Sequence, residues 1–148
     1  MDYQAAFAIG AAGMAVEKMR ADLASMNLAN ANTTRTANGS YYRAGRLVTH
    51  TVPGFDALMQ AGAGQALPLP LPLPYASGVV TVEATPRLMH EPGHPHADER
   101  GFVAYPQIDT LAEMVTIMNA TRAYQANIAS ISAARSMAQE TLKIGGGR

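Results

Sequence analysis

The chain has 148 residues, 48% of them hydrophobic and 15% charged, and its 11 basic and 11 acidic residues balance to zero. That length suits one compact domain or a helical scaffold carrying a small insert, and the balanced charge gives no long-range attraction to nucleic acid or an anionic membrane. With no cysteine in the sequence, disulfides, thiolate zinc sites and cysteine nucleophiles are excluded.

No run approaches the ~18 apolar residues that a membrane span needs. Met1-Asp2-Tyr3-Gln4 lacks a basic n-region, and the alanine-rich stretch after it is broken by Gly10 and Gly13 before running into Glu17, Lys18 and Arg20. No cleaved leader is expected. Three Phe, no Trp and many Ala and Met residues favour close helix packing over an aromatic-lined pocket.

Residues 3–32 carry the first helical pattern. Ala5, Ile9, Ala12, Val16, Met19, Leu23, Met26 and Asn30 alternate fours and threes, which predicts a heptad seam. Such a helix is roughly 45 Å long, more than one small globule requires. Gly10 and Gly13 weaken it unless another backbone comes close there. Asn27, Asn30 and Asn32 crowd its end ahead of Thr33; they suit ordinary capping, or a hydrogen-bonded joint that fixes the register between neighbouring subunits.

Residues 33–106 change character and hold every proline of the chain. Strand-like runs at 46–52 and 78–83 flank four Leu-Pro pairs at 67–74, which predict a stiff polyproline II spacer. Residues 110–144 carry the second helical pattern. Thr110 and Glu113 have capping-box spacing. Met114, Ile117, Thr121, Tyr124, Ile128, Ile131, Arg135, Ala138 and Leu142 again alternate threes and fours, and Lys143 suits the last turn. On this helix Met114, Ile117, Ile128 and Ile131 are expected to face other helices, and Glu113 to lie on a polar face or between subunits. Arg122, Tyr124, Gln125 and Asn127 could serve as polar joints.

The expected fold is mainly α with a small β insert. Long N- and C-terminal helices pair as a coiled coil (residues 1–35 and 107–148), and a β-rich, proline-rich lobe (36–106) is extruded between them.

Candidate chemistry concentrates in His90-Glu91-Pro92-Gly93-His94-Pro95-His96-Ala97-Asp98-Glu99, where imidazoles and carboxylates are spaced closely enough to ligate a metal. Pro92, Gly93 and Pro95 read instead as a rigid turn with exposed polar side chains. There is no nucleophile elbow around any serine, and Gly62-Ala63-Gly64 continues into neither a P-loop nor a dinucleotide fingerprint. No catalytic residue, metal site or cofactor is expected.

Ser25-Met26-Asn27-Leu28-Ala29-Asn30-Ala31-Asn32-Thr33 resembles the S-x-N-[IL]-A-N-x-x-T signature of flagellar rod, hook and hook-associated axial proteins. Glu113-Met114-Val115 and Ala120-Thr121-Arg122-Ala123-Tyr124-Gln125-Ala126-Asn127 resemble their C-terminal E-M-V and S-x-R-x-Y-x-A-N patterns. Pro86-Arg87, Glu91-Pro92-Gly93-His94-Pro95-His96-Ala97-Asp98 and Gly101-Phe102-Val103-Ala104-Tyr105-Pro106 are similar to the FlgC-type proximal rod family, as is the Tyr-Arg step at Tyr42-Arg43. The resemblance spans roughly residues 1–53 and 79–145; Thr33-Thr34-Arg35-Thr36 departs from the family, and the Leu-Pro run has no counterpart in it.

The resemblance implies a structural subunit of the basal-body rod in the periplasm. Its partners would be copies of itself, other proximal rod proteins, the motor (MS) ring adaptor and the distal rod, with delivery by the flagellar type III export apparatus. The seam positions and polar joints above then give the expected assembly residues: Val16, Met19, Leu23, Met26, Asn27, Asn30, Thr33, Met114, Ile117, Arg122, Tyr124, Asn127, Ile128 and Ile131. Another axial family member, or a coiled-coil adaptor outside the flagellum binding through the Leu-Pro arm, are the alternatives.

Overall fold

The computed structural model describes residues 3–51 and 73–145. The element order is α1 (Tyr3–Ala29), β1 (Gly45–Thr51), β2 (Pro74–Thr81), β3 (Arg87–His90), β4 (Phe102–Tyr105) and α2 (Thr110–Gly145). Two helices at the ends of the chain thus bracket two two-stranded sheets, β1-β2 and β3-β4, the mainly α arrangement with a small β insert that the sequence predicts. The Leu-Pro run lies outside the described residues apart from Leu73 and Pro74, and Pro74 opens β2.

The chain divides into two compact units, Met1–Met19, Thr49–Ser77 and Ala120–Arg148 in one, Arg20–Val48 and Gly78–Asn119 in the other. In the first unit the early turns of α1 come close to the later turns of α2. A Cβ placed on Gly10 would sit 2.7 Å from Ile131 Cγ1, and one on Gly13 would sit 2.9 Å from Asn127 Nδ2. The glycines that weaken α1 as an isolated helix therefore admit a neighbouring helix.

In the second unit β3 and β4 pair antiparallel, with Met89 opposite Val103 and His90 opposite Phe102. Val103 of β4 is fully buried, whereas all four residues of β3 are exposed, so the hairpin is anchored through β4. Its turn is self-bonded: Asp98 Oδ1 accepts the backbone N–H groups of Arg100 (2.9 Å) and Phe102 (2.7 Å).

The helix ends differ in detail from the sequence reading. α1 stops at Ala29, short of residue 32, because Asn30 donates its amide back to the Met26 carbonyl (2.9 Å) and the backbone tightens, Ala31 N–H bonding Leu28 and Thr33 N–H bonding Asn30. At the start of α2 the cap is Asp109, not Thr110: its Oδ1 accepts the N–H groups of Leu111 (3.0 Å) and Ala112 (3.1 Å). A carboxylate there satisfies two free donors and complements the helix dipole. Lys143 in the last turn pairs with Glu140 at 2.8 Å.

The buried stripe of each helix keeps the three-four period but shifts register at alternate positions. On α2 it runs through Glu113, Ile117, Ala120, Tyr124, Asn127, Ile131, Ala134 and Ala138, while Met114, Thr121, Ile128, Arg135 and Leu142 are exposed. On α1 Gly10, Val16, Ala24 and Asn27 are buried, and Ile9, Met19 and Met26 are exposed. Hydrophobicity favours the larger side chains for the interior, but helices approaching at glycine and alanine have no room for them. Among the described residues the buried hydrophobic core is Val16, Ala24, Ala31, Val103, Ala120 and Ala134, so it consists mostly of alanine methyls.

This packing makes the sign of a glycine substitution depend on its neighbour. Gly10→Ala gains about 1 kcal/mol of helix propensity but overpacks against Ile131, at a cost of about 1–3 kcal/mol. Thermal unfolding should show a net loss in the native background and a gain in an Ile131→Ala background; a gain in both would show that the helices are not in close contact at Gly10.

Candidate functional site

The densest polar site of the second unit is a junction of three chain segments on the side chain of Asn27. Asn27 lies on the last full turn of α1 and is 1% exposed. Its Oδ1 accepts the Gly45 N–H (3.0 Å) and the Tyr42 hydroxyl (3.0 Å). Its Nδ2 donates to the Gly45 carbonyl (3.0 Å) and to Glu113 Oε2 (3.3 Å). The carboxamide thus meets both backbone groups of Gly45 as a neighbouring strand would, and every hydrogen-bonding position it has is filled. No buried side-chain nitrogen or oxygen among the described residues lacks a partner.

Glu113 completes the junction from α2. It too is 1% exposed, and its Oε1 accepts Arg46 Nη2 at 2.9 Å, the arginine side chain being half exposed. This corrects the expectation that Glu113 caps its helix or lies on a polar face: Asp109 provides the cap, leaving Glu113 to turn inward. A small cleft of about 100 Å³ lies beside the pair, lined by Arg20, Leu23, Leu47 and Thr116 among others. Burial, and then the Glu113 charge, push the Tyr42 phenol above its ordinary value of 10.0.

The other sequence-predicted positions distribute as follows. Val16 is buried, and Leu23, Asn30, Thr33, Ile117, Tyr124, Asn127 and Ile131 are half-buried. Met19, Met26, Met114, Arg122 and Ile128 are exposed. Of the asparagines considered for a joint between subunits, Asn27 directs its amide to partners within the chain. Asn30 caps α1, its Oδ1 accepting from the Thr33 hydroxyl at 3.1 Å.

Tyr42, Gly45 and Arg46 were not singled out for this role from the sequence. One signal did point here: Glu113 is the sole charge between Thr110 and Thr121, and a lone acid in a helical run of that kind is a candidate for a paired, buried group.

The histidine-rich segment is a compact loop. The His96 N–H donates to His94 Nδ1 (3.1 Å), His96 Nδ1 bonds the Thr34 hydroxyl (2.8 Å), and the Tyr105 hydroxyl donates to Glu91 Oε2 (3.0 Å). The rings of His90 and Phe102 meet edge to face, 5.1 Å between centroids. Among the described residues no three His, Asp or Glu side chains converge in a way that could hold a metal ion.

Residues 99–144 match the family described as flagellar basal body rod FlgEFG protein C-terminal. The sequence is 35% identical over 139 residues to the flagellar basal-body rod protein FlgC of Salmonella typhimurium, spanning 94% of this chain and 95% of that protein. It is 33% identical to the FlgC of Escherichia coli O157:H7 over the same length. It is 30% identical over 146 residues to that of Bacillus subtilis, spanning 93% of this chain and 94% of that protein.

Asn27→Ala removes the partner of a buried N–H, a carbonyl, a hydroxyl and a carboxylate together. At about 1–3 kcal/mol for each group left unsatisfied, a loss of at least about 3 kcal/mol is expected in chemical denaturation, against under 1 kcal/mol for the exposed Asn32→Ala. Tyr42 gives a pH signature. Because its folded pKa is raised, its contribution to stability is fully present below pH 10 and falls as pH rises above that value through the folded pKa. Alkaline denaturation of Tyr42→Phe should therefore be shallower than that of the native chain; equal slopes would place the phenol outside the junction.

Proposed function

The chain belongs to the FlgC family of flagellar basal-body rod proteins, and from that membership we propose how its helices act. It is a structural subunit of the proximal rod in the flagellar basal body, assembling with other rod components. In our reading residues 1–35 and 107–148 form an axial core whose helices pair as a coiled coil, and residues 36–106 form an insert carried on it. Copies polymerise through the outer faces of these helices and transmit torque from the motor ring to the distal rod and hook.

The observation that carries this reading is the inversion of side-chain size across the helices. Alanine and glycine take most of the buried helix positions, while Ile9, Met19 and Met26 on α1 and Leu111, Met114, Met118, Ile128 and Leu142 on α2 stand exposed. Large apolar groups left in rows on helix surfaces favour contact with further helices. Twisting a tube packed in this way must unseat many interdigitated side chains together, which makes it stiff in torsion. Heterologous, non-closing contacts extend it as a helix.

The partners in this reading are copies of the chain, other proximal rod proteins, the motor (MS) ring adaptor and the distal rod, with the flagellar type III apparatus delivering the unfolded chain to the periplasm. It acts without catalysis or a cofactor. Val16, Leu23, Asn27, Asn30, Thr33, Ile117, Tyr124, Asn127 and Ile131 shape and hold the helices, while Met19, Met26, Met114, Arg122 and Ile128 meet neighbouring subunits.

Ile128 is 46% exposed, so Ile128→Asp should leave the monomer's unfolding midpoint nearly unchanged. In the rod it would place a carboxylate in an apolar contact, at a cost of several kcal/mol per subunit. The expected phenotype is a non-motile cell that still secretes the subunit. A motile strain with normal rods would show that Ile128 faces solvent in the assembly.

A further inference from the structure

We infer that the Glu113–Arg46–Asn27 junction selects the register in which the start of α2 seats against the end of α1, a role separate from holding the two together. Three observations within the second unit carry this. First, Glu113 is the only buried residue in the first ten of α2, with Ile117 half-buried one turn on, so the most enclosed side chain there is a carboxylate and not a large apolar group. Second, Ala24 is the buried apolar residue on the facing end of α1 and Ala31 follows the helix, and methyl groups fit a neighbour almost equally well at several offsets. Third, both oxygens of the Glu113 carboxylate are matched, one by Arg46 at 2.9 Å and the other by Asn27 at 3.3 Å.

A slip of one turn is about 5.4 Å along the helix. It would carry the carboxylate to the level of Ala24, which has no amide, or past the end of α1 to Asn30, whose amide is already bonded to the Met26 carbonyl and the Thr33 hydroxyl, and would leave a charge buried without its partners. Alternative seatings that apolar packing tolerates are excluded by that desolvation. A single buried polar group fixing the alignment of helices is a known use of such groups in coiled coils; here the group is a carboxylate held by an asparagine and an arginine.

The chain has no cysteine, so spin labels attached at Asp22→Cys and Asn119→Cys, both exposed positions in this unit, report its alignment without ambiguity. Pulsed dipolar spectroscopy on the full chain should give one narrow distance population. Arg46→Met strands the buried carboxylate and should lower the denaturation midpoint sharply. Adding Glu113→Met removes the stranded charge while Asn27 keeps Gly45 and Tyr42, so the double variant should unfold at a higher midpoint than Arg46→Met alone. Its distance distribution should split into populations separated by about one helical turn, ~5 Å. A double variant that unfolds no later than Arg46→Met, or that folds with the single narrow distance of the native chain, would overturn the inference.

Discussion

A carboxylate buried in a helix of small residues is the constraint around which the second unit is arranged. Glu113 is as buried as any apolar residue of the core bar Val103, and an ionised carboxyl can occupy such a place only with its lone pairs matched. Matching them recruits Arg46 from β1 and Asn27 from α1. Asn27 then has three further bonds to make, and it makes them to Gly45 and Tyr42. One charge on α2 therefore orders the end of α1, the loop after it and the start of β1, segments as far as 86 residues apart in sequence.

The remainder of the helical packing relies on close approach. Gly10 and Gly13 lie against Ile131 and Asn127 so tightly that a methyl group at either position would collide. An interior of this kind buries little apolar area per residue, and at about 25 cal/mol per Å² it contributes correspondingly little hydrophobic stabilisation. The larger apolar side chains remain outside, where burial has to come from other helices. On the function proposed above, a subunit built this way would make its strongest apolar contacts in the rod.

The sequence made the architecture legible because helix period, proline confinement and strand-like runs are local signals: both long helices and the β segments between them follow from them, while the family is carried by the resemblance of its motifs. What it did not disclose is which residue of each adjacent pair faces inward. Met114 and Glu113, Ile128 and Asn127, Met26 and Asn27 differ by one step, and hydrophobicity ranks the first of each pair for the interior. The structure takes the second, because close helix approach and hydrogen-bond matching are tertiary effects that single-residue hydrophobicity does not carry. Asn27 was legible as a polar residue with a role but not as one whose partners all lie within its own chain, since Tyr42, Gly45 and Arg46 become its neighbours only after folding.

Gly45 shows how far the requirement of one side chain propagates. For the Asn27 amide to bond both its N–H and its carbonyl, the backbone at residue 45 must lie directly against α1. A Cβ there would fall 2.8 Å from Val79 Cγ1 and 3.0 Å from Leu23 Cδ1, so the backbone can occupy that position only without a side chain. The strand that begins at Gly45 then presents Arg46, the next residue, to Glu113. The sequence Gly45-Arg46 therefore serves two needs of one junction, close backbone approach to the asparagine and a cation for the carboxylate. The two motif residues that place the chain among axial proteins, Asn27 of the N-terminal signature and Glu113 of the C-terminal one, meet in this chain as the two halves of a single hydrogen-bonded group.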